Sequence, residues 1–412
     1  MHAAVRKLLT PANLVCVVII AAVAAMITIA NWRDIHRSRT TYTRPSLAGT
    51  RGLGTSRENL AARVADLRTR LSAQPQDAGL AIMLSDALLR QARTTGNAGL
   101  AIEAERSLKR ALDGDVANYD ANRLLAAVYL SQHRFREAIA VAEKNRDARP
   151  SDPINYGVIG DGHLELGEYE QAFDAFDRMV TTRPSAAAYA RVAYARELQG
   201  NLNGAIEAMK LATDATAADD AESLAWHRSQ VGDLYLRLGR VREAEAEYTA
   251  ASHAFPGHPF AVMGYAKVLV ARGDLSGALT LLQSLQKTAP TPDLAARIGD
   301  LYKLLGRDAD AEREFALAEA GWRVDAPEPK NLARFLADHD RKIDEAVTIA
   351  ETAAAKRHDI FTEDALAWAY YKAGRVGDAR GAIAQALRTG TKDADILAHA
   401  AAIRGPRQIA SR

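Results

Sequence analysis

The sequence predicts an all-α protein in which a solenoid of helical hairpins follows an N-terminal transmembrane helix. Three observations lead to this prediction. Of the 412 residues, 48% are hydrophobic and 25% charged, the balance of a folded chain, while aromatic residues are only 6% and alanine, the best helix former, is abundant. An uncharged apolar run lies near the N-terminus, and from residue 76 onwards small residues recur about every 34 positions. The net charge of +2 disfavours a polybasic nucleic-acid binder.

The first element is the apolar run from Leu8 to Trp32, which holds 25 residues without a charge. As a helix it reaches about 37 Å, more than the ~30 Å hydrocarbon core of a bilayer. We therefore predict a short tail at 1–10 and a single-pass signal anchor at 11–32. A cleaved signal peptide is the alternative, because two basic residues precede the run and Ala-x-Ala patterns lie within it. However, the run exceeds the ~7 to 15 apolar residues usual for a signal peptide.

Residues 33–56 are rich in Arg, Thr, Ser and Gly and show no apolar periodicity, which predicts a flexible basic linker. Residues 1–57 carry eight Lys or Arg and one acid, whereas the remainder carries 45 Lys or Arg and 50 acids. Positive charges flank both ends of the span, so the charge rule alone leaves the orientation nearly balanced. Moving a short cationic tail outward opposes the membrane potential, and we therefore expect the bulk of the chain on the extracytoplasmic side.

The second part of the chain repeats itself. Equivalent alanines recur at a nearly constant spacing, at Ala104, Ala138, Ala172, Ala205, Ala244, Ala278, Ala311, Ala346 and Ala379. Glycine stands five positions before seven of the nine, at Gly99, Gly167, Gly200, Gly239, Gly273, Gly306 and Gly374. Proline stands twelve positions after four of them, at Pro150, Pro184, Pro256 and Pro290. A turn glycine, a small contact residue and a helix-ending proline predict one helical hairpin per period.

This pattern resembles the tetratricopeptide repeat, in which each unit of about 34 residues is a pair of antiparallel helices. The segment Arg228 to Pro256 is similar to the family pattern in its glycines, tyrosines, alanines and final proline. The resemblance covers residues 76–390 and implies about nine units stacked as a right-handed α-solenoid. Solenoid ends must be covered, so helical stretches in 57–75 and 391–412 are predicted to cap the array.

Two departures from the period predict irregular connections. The wider spacing between Ala205 and Ala244 indicates an insertion near 213–222. The unit around Ala346 lacks the turn glycine and follows two prolines, which predicts a loop or a change of curvature at 323–330.

The sequence contains no recognisable catalytic motif. It has no Gly-rich loop before a lysine, no His-Glu-x-x-His helix, no nucleophile elbow and only one cysteine, Cys16, inside the apolar run. His253 and His258 flank a proline and are interpreted as turn residues rather than a metal pair. We therefore predict no enzymatic activity, no cofactor and no metal site.

The candidate function is recognition by the concave face of the solenoid. In the unit of Ala244, helical periodicity directs Trp226, Ser229, Asp233 and Leu236 away from the packing face. In the solenoid that the resemblance implies, these four groove positions and their equivalents in other units line a groove. The candidate protein-binding residues are Arg123, Asp161, Tyr194, Trp226, Asp233, Phe260, Lys267, Asp300, Lys303 and Trp368. Trp226 and Trp368 have a second interpretation as core residues, because Trp226 lies close to the packing positions.

These observations predict a membrane-tethered, non-catalytic scaffold or adaptor that binds proteins or extended peptides and no nucleic acid. One alternative is a regulatory or assembly subunit of a membrane-associated enzyme or of a secretion or polysaccharide-assembly complex. Another is a secreted protein with a cleaved signal peptide. Some members of the family hold acidic chaperone tails with Lys, Arg and Asn. In the six units around Ala138 to Ala311, the positions equivalent to Ser229 and Asp233 include no asparagine, which disfavours that function.

Overall fold

The computed structural model describes residues 57–324 and 329–405. The predicted tail (1–10), transmembrane helix (11–32) and linker (33–56) lie outside these residues, as do 406–412. Within the described ranges, no helix is both long and apolar enough to cross a membrane. The described residues belong to a single compact unit, Gly54–Arg412.

The described part of the chain contains twenty helices and no strand, arranged as nine hairpins, units 1 to 9, between two single helices. The first helices of the hairpins, helices A, are Ala78–Thr95, Tyr119–Ser131, Pro153–Glu165, Ala186–Leu198, Ala221–Arg237, Pro259–Ala271, Pro292–Leu304, Pro329–Asp338 and Ile360–Lys372. The second helices, helices B, are Gly99–Gly114, Phe135–Ala148, Tyr169–Thr182, Leu202–Asp214, Val241–Ala254, Leu275–Gln286, Asp308–Val324, Ile343–Ala354 and Val376–Ala386. Arg57–Ala73 precedes the array and Ala394–Arg404 follows it.

Local sequence sets where helices A begin. The side chains of Asp77, Asn118, Asp152, Ser185, Asp220, Thr291 and Asp359 each accept a hydrogen bond from a backbone N–H in the first turn. Such caps satisfy donors that have no partner inside the helix. Proline is the first residue of the helices A of units 3, 6, 7 and 8, where its missing N–H has no cost.

The two helices of each hairpin pack closely through small residues. All nine aligned alanines are completely buried. Glycines on helices A receive the aromatic rings of helices B: a Cβ on Gly160 would overlap the ring of Phe176, and one on Gly299 would overlap that of Phe315. Large rings against residues without side chains fill the hairpin interior to the density of a protein core.

A Tyr–Arg contact closes the A-to-B turn in four units. In unit 5 the Tyr235 carbonyl accepts a hydrogen bond from the Arg240 N–H at 2.9 Å, and the Arg240 guanidinium lies 4.6 Å from the Tyr235 ring centre. A cation over an aromatic face stabilises an exposed turn by about 0.5–1 kcal/mol. The same arrangement occurs at Tyr129 and Arg134, Tyr302 and Arg307, and Tyr370 and Arg375.

The later units of the solenoid return to contact the earlier ones. A Cβ on Gly96 would overlap the side chain of Thr291, one on Gly167 would overlap the backbone of His358, and one on Gly200 would overlap the backbone of Gly390. The partners in all three pairs are separated by between five and six repeat periods. The described chain therefore forms a first coil, residues 57–214, stacked against a second coil, residues 221–404.

Both apolar and polar contacts join the coils. Leu164, Phe176 and Leu198 of the first coil share one core cluster with Ile360 and Ile396 of the second. The Ile360 N–H donates to the Tyr169 hydroxyl at 2.8 Å, and the His358 N–H donates to the Leu166 carbonyl at 3.3 Å. The Arg93 guanidinium lies 2.7 Å from the Glu222 carboxylate. The coils are therefore held by a continuous core and by backbone hydrogen bonds.

Candidate protein-binding groove

Six of the ten sequence-predicted groove residues are paired with charged groups of the chain itself. The Asp161 carboxylate accepts two hydrogen bonds from Arg191 of the next unit, at 2.6 and 2.8 Å. The Asp233 carboxylate accepts one from the Lys267 ammonium at 2.6 Å. Each of these pairs joins neighbouring helices A, so the predicted groove positions concerned carry charges of both signs that offset one another.

Arg123 and Lys303 are also paired. The Arg123 guanidinium lies 3.7 Å from both Asp120 and Asp152, and the Lys303 ammonium lies 3.0 Å from Asp308. Their charges are therefore offset by neighbouring carboxylates.

Asp300 contacts a histidine of the next unit. It is hydrogen-bonded to the ring of His339 at 2.8 Å. Burial would lower the pKa of His339, but the hydrogen bonds to Asp300 and to the Phe335 carbonyl outweigh it and raise that pKa above its ordinary value. The contact therefore favours the charged form of the imidazole.

The two tryptophans pack against the chain itself. Trp226 is half-buried against the core cluster of units 4 to 6 and makes an edge contact with His227, with ring centres 5.3 Å apart. Trp368 is half-buried and stacks on His399 of the last helix, with ring centres 4.1 Å apart. Phe260 is exposed. Both tryptophans therefore contribute packing area, as their second interpretation allows.

The last helix, Ala394–Arg404, is tied to the concave face by charged groups. His399 lies 2.9 Å from Asp364 and 3.6 Å from Asp338. Burial alone would lower the pKa of His399, but hydrogen bonds to Asp338 and Asp364 outweigh it and raise the pKa to about 9. Burial raises the pKa of Asp364 despite its contact with His399. The imidazole is consequently a cation at neutral pH.

Two arginines of helices A also reach the start of this helix. The Arg237 guanidinium lies 2.7 Å from Asp393 and 3.2 Å from Glu197, and the Arg334 guanidinium lies 2.5 Å from Asp395. Burial raises the pKa of Glu197, and the neighbouring Arg237 offsets only part of that effect. The last helix thus supplies carboxylates to arginines of units 5 and 8.

A cavity of about 210 Å³ lies where the two coils meet. Three aromatic rings form walls, and two acids and two bases leave the lining without formal net charge. Tyr194 is the sequence-predicted groove residue that this cavity contains. The first coil contributes Leu164, Glu165, Tyr169, Tyr194 and Leu198, and the second contributes Lys330, Asn331, Arg334, Asp359 and Phe361.

The charged groups of the cavity are neutralised by nearby partners. The Lys330 ammonium lies 3.3 Å and the Arg357 guanidinium 3.2 Å from the Asp359 carboxylate. Burial would raise the pKa of Asp359, but these two cations and the hydrogen bonds from Thr362 hold it below the ordinary value. Asp359 is therefore a paired carboxylate.

Tyr194 and Asn331 differ from these groups. Among the described residues, neither the Tyr194 hydroxyl nor the Asn331 amide forms a hydrogen bond with another residue of the chain; Tyr194 is half-buried and Asn331 is exposed. Burial raises the pKa of Tyr194 well above 10, so the hydroxyl keeps its proton and acts as a donor. Water satisfies polar groups that face solvent, and a ligand that displaces this water can form the same hydrogen bonds.

Most residues of this cavity do not follow from the repeat pattern of the regular units. Asn331 stands in unit 8 where Ser229 stands in unit 5, at a predicted groove position, but unit 8 lacks the turn glycine of the regular units. Only the spacing from Ala346 marks Asn331 as a groove position. Tyr169 lies on a helix B, and only the stacking of the two coils brings it to Ile360.

The described ranges contain no group of three or more His, Cys, Asp or Glu able to hold a metal ion. His253 is exposed, whereas His258 is buried with its ring centre 5.6 Å from that of Phe255.

The described residues form a solenoid of stacked helical hairpins. Residues 158–220 and 235–298 match two family models, each described as tetratricopeptide repeat. The prediction of tetratricopeptide repeats is thereby confirmed for these two segments, and the prediction of an all-α fold is confirmed for the residues that the structure describes. No curated protein sequence matches this chain.

Among solved structures, the chain is similar to one from the APC/C hetero-tetramer Cut9-Hcn1, with a TM-score of 0.52 and 15% identity over 84% of this chain. The match covers 59% of that chain, so this protein spans less than two thirds of its length. Human IFIT1, solved as a dimer with m7Gppp-AAAA, matches with a TM-score of 0.52 and 13% identity over 79% of this chain and 76% of its own. At these identities the similarity shows the fold alone.

Proposed function

We propose that this protein is a membrane-tethered, non-catalytic adaptor that binds an extended segment of a partner protein on its concave face. The cavity between the coils anchors that segment. The observation that carries the proposal is the pair of unused hydrogen-bonding groups, Tyr194 and Asn331, beside the aromatic walls Tyr169 and Phe361.

The chemistry of this pair fits a peptide. A side-chain amide accepts from one N–H and donates to one carbonyl, as a peptide group requires, and the Tyr194 hydroxyl donates to a second carbonyl. The flanking rings offer rigid apolar area to a partner side chain at a small cost in conformational entropy. Because the charged groups of the lining are already paired, the anchored segment is apolar or amide-bearing at this point rather than highly charged.

The apolar run before the linker supports the tethered part of the proposal. A signal anchor with its N-terminus inside places the repeats on the extracytoplasmic side and raises the local concentration of partners already at that membrane. Protease added to intact spheroplasts is expected to digest the repeats while it spares a cytoplasmic control. Protection of the repeats until the membrane is opened would reverse this orientation, and release of the protein without detergent would contradict tethering.

The binding part of the proposal is tested with a library of random peptides displayed on phage and the full chain in detergent micelles. A recovered peptide is then measured by fluorescence anisotropy. Loss of one hydrogen bond costs about 0.5–1.5 kcal/mol, so Tyr194→Phe is expected to weaken binding about threefold to tenfold. Asn331→Ala is expected to weaken it at least as much.

The matched control is Tyr265→Phe, which removes a hydroxyl from a helix A outside the cavity. Its affinity is expected to equal that of the unsubstituted chain. If the library yields no binder, or if peptides bind the Tyr194→Phe and Asn331→Ala variants unchanged, the cavity does not anchor a peptide.

A further inference from the structure

The stacking of two coils leaves two edges of the solenoid uncovered. The leading rim consists of the loops between units and the first residues of helices A; the trailing rim consists of the A-to-B turns and the last residues of helices A. Where the coils meet, the trailing rim of the first coil contacts the leading rim of the second, as Gly167 does at His358. Among the described residues, the trailing rim of units 6 and 7 has no such neighbour: a Cβ on Gly273 or Gly306 would meet nothing within 4 Å.

Apolar residues on that open trailing rim are exposed where their first-coil equivalents are buried. Leu198 and Leu304 occupy equivalent places at the ends of their helices A, and their exposed fractions are 2% and 64%. Leu164 and Val270 are likewise equivalent, and their exposed fractions are 6% and 38%. The second coil covers Leu198 and Leu164. Leu304 and Val270, at the equivalent places in the second coil, remain exposed.

The leading rim of the first coil shows the same contrast. Val116 and Ala289 occupy equivalent places in the loops before units 2 and 7, and their exposed fractions are 82% and 3%. Ile154 is exposed, whereas Phe361 at the equivalent position of unit 9 is half-buried in the wall of the cavity between the coils. Each rim therefore carries two apolar side chains that are exposed at places where the equivalent residues of the other coil are covered.

We propose that these rims bind each other between copies of this chain, so that the trailing rim of one copy stacks on the leading rim of the next. The contact between the coils is already a trailing rim on a leading rim, and a second copy continues that interface with the same kinds of surface. The two contacting surfaces differ, so the interface is heterologous and the assembly grows head to tail. This inference is independent of any peptide ligand.

The first test measures the mass of the full chain in density-matched detergent by sedimentation equilibrium over a range of concentrations. The average mass is expected to rise with concentration beyond that of a dimer. Leu304→Glu blocks the trailing rim and Val116→Glu blocks the leading rim, because burial of an unpaired carboxylate is costly. Each variant is expected to weaken self-association at least tenfold.

The control is Leu317→Glu, on helix B of unit 7 away from both rims, with an exposed fraction of 58% that matches that of Leu304. It is expected to associate like the unsubstituted chain. All four proteins contain the same N-terminal apolar run, so a difference between them reports on the rims. Because the substituted side chains are exposed, unchanged melting temperatures are expected and show that the variants fold.

Mixing the two blocked variants separates the proposed interface from a symmetric one. The Leu304→Glu copy keeps its leading rim and the Val116→Glu copy keeps its trailing rim, so an equimolar mixture is expected to form dimers and nothing larger. A mixture that remains monomeric overturns the proposal, as does a monomeric unsubstituted chain at all concentrations. Association that neither substitution weakens also overturns it.

Discussion

The stacking of the coils can be tested at one backbone position. Gly167 has a φ of +79°, and a Cβ there would overlap the backbone of His358 in the second coil. Gly306 occupies the equivalent turn of unit 7 with a φ of +70°, but a Cβ there would meet nothing within 4 Å. The pair Gly167→Ala and Gly306→Ala therefore shares the backbone strain and differs only in the contact between the coils.

The expected magnitudes follow from these geometries. An alanine in the left-handed region costs roughly 1–2 kcal/mol, which applies to both variants. An extra methyl forced into packed surroundings costs typically a further ~1–3 kcal/mol, which applies to Gly167→Ala alone. We expect the free energy of unfolding to fall by about 1–2 kcal/mol for Gly306→Ala and by about 2–5 kcal/mol for Gly167→Ala.

Urea unfolding followed by circular dichroism measures the two losses. Hydrogen exchange localises them, because the His358 and Ile360 N–H groups donate to Leu166 and Tyr169 across the contact. Those two amides are expected to exchange faster in Gly167→Ala and at an unchanged rate in Gly306→Ala. Equal losses of stability together with unchanged exchange at both amides would refute the stacked arrangement of the coils.

Three further outcomes are expected. His399 has a folded pKa of about 9, above its unfolded value of about 6.5, so its stabilising effect is full below pH 6.5 and disappears as the pH rises through 9. The pKa difference of about 2.5 corresponds to at most about 3 kcal/mol, and solvent screening of the partly exposed pair reduces the expected loss to the order of 2 kcal/mol. Thermal melts of the unsubstituted chain should show this loss, and it should be absent in His399→Gln. Tyr248→Phe removes the hydrogen bond of 2.8 Å that the Tyr248 hydroxyl donates to the Asp233 carboxylate. The free energy of unfolding, measured in urea, should fall by about 1–3 kcal/mol. Trp226→Ala should lower it by about 1–3 kcal/mol, because the ring is half-buried; an unchanged urea midpoint would place that ring outside the core.

Much of the fold could be predicted from the sequence because each hairpin depends on near neighbours in the chain. Within one unit, Gly239 indicates a turn, Ala244 a close contact between the two helices and Pro256 the end of the second helix. All nine aligned alanines are buried, as that interpretation requires. The turn of unit 2 shows the limit of the pattern, since His133 takes a φ of +59° where most units have glycine.

The candidate site could be predicted only in part. Helical periodicity finds which side chains of a helix A leave the packing face, and it includes Tyr194. Periodicity does not show whether the Asp161 carboxylate is paired with a cation, because its partner Arg191 belongs to the next unit. It does not find Tyr169, whose place in the cavity depends on a contact with Ile360.

The sequence by itself determined the hairpin, its period and the number of units, because these follow from contacts made within a single repeat. The membrane anchor remains a prediction from the apolar run. Only the tertiary structure shows how far each unit is rotated relative to the unit before it. That rotation brings the Tyr169 hydroxyl within hydrogen-bonding distance of the Ile360 N–H. Small rotations accumulate over five or six units, and no single unit encodes their sum. The cavity and the two open rims follow from that sum.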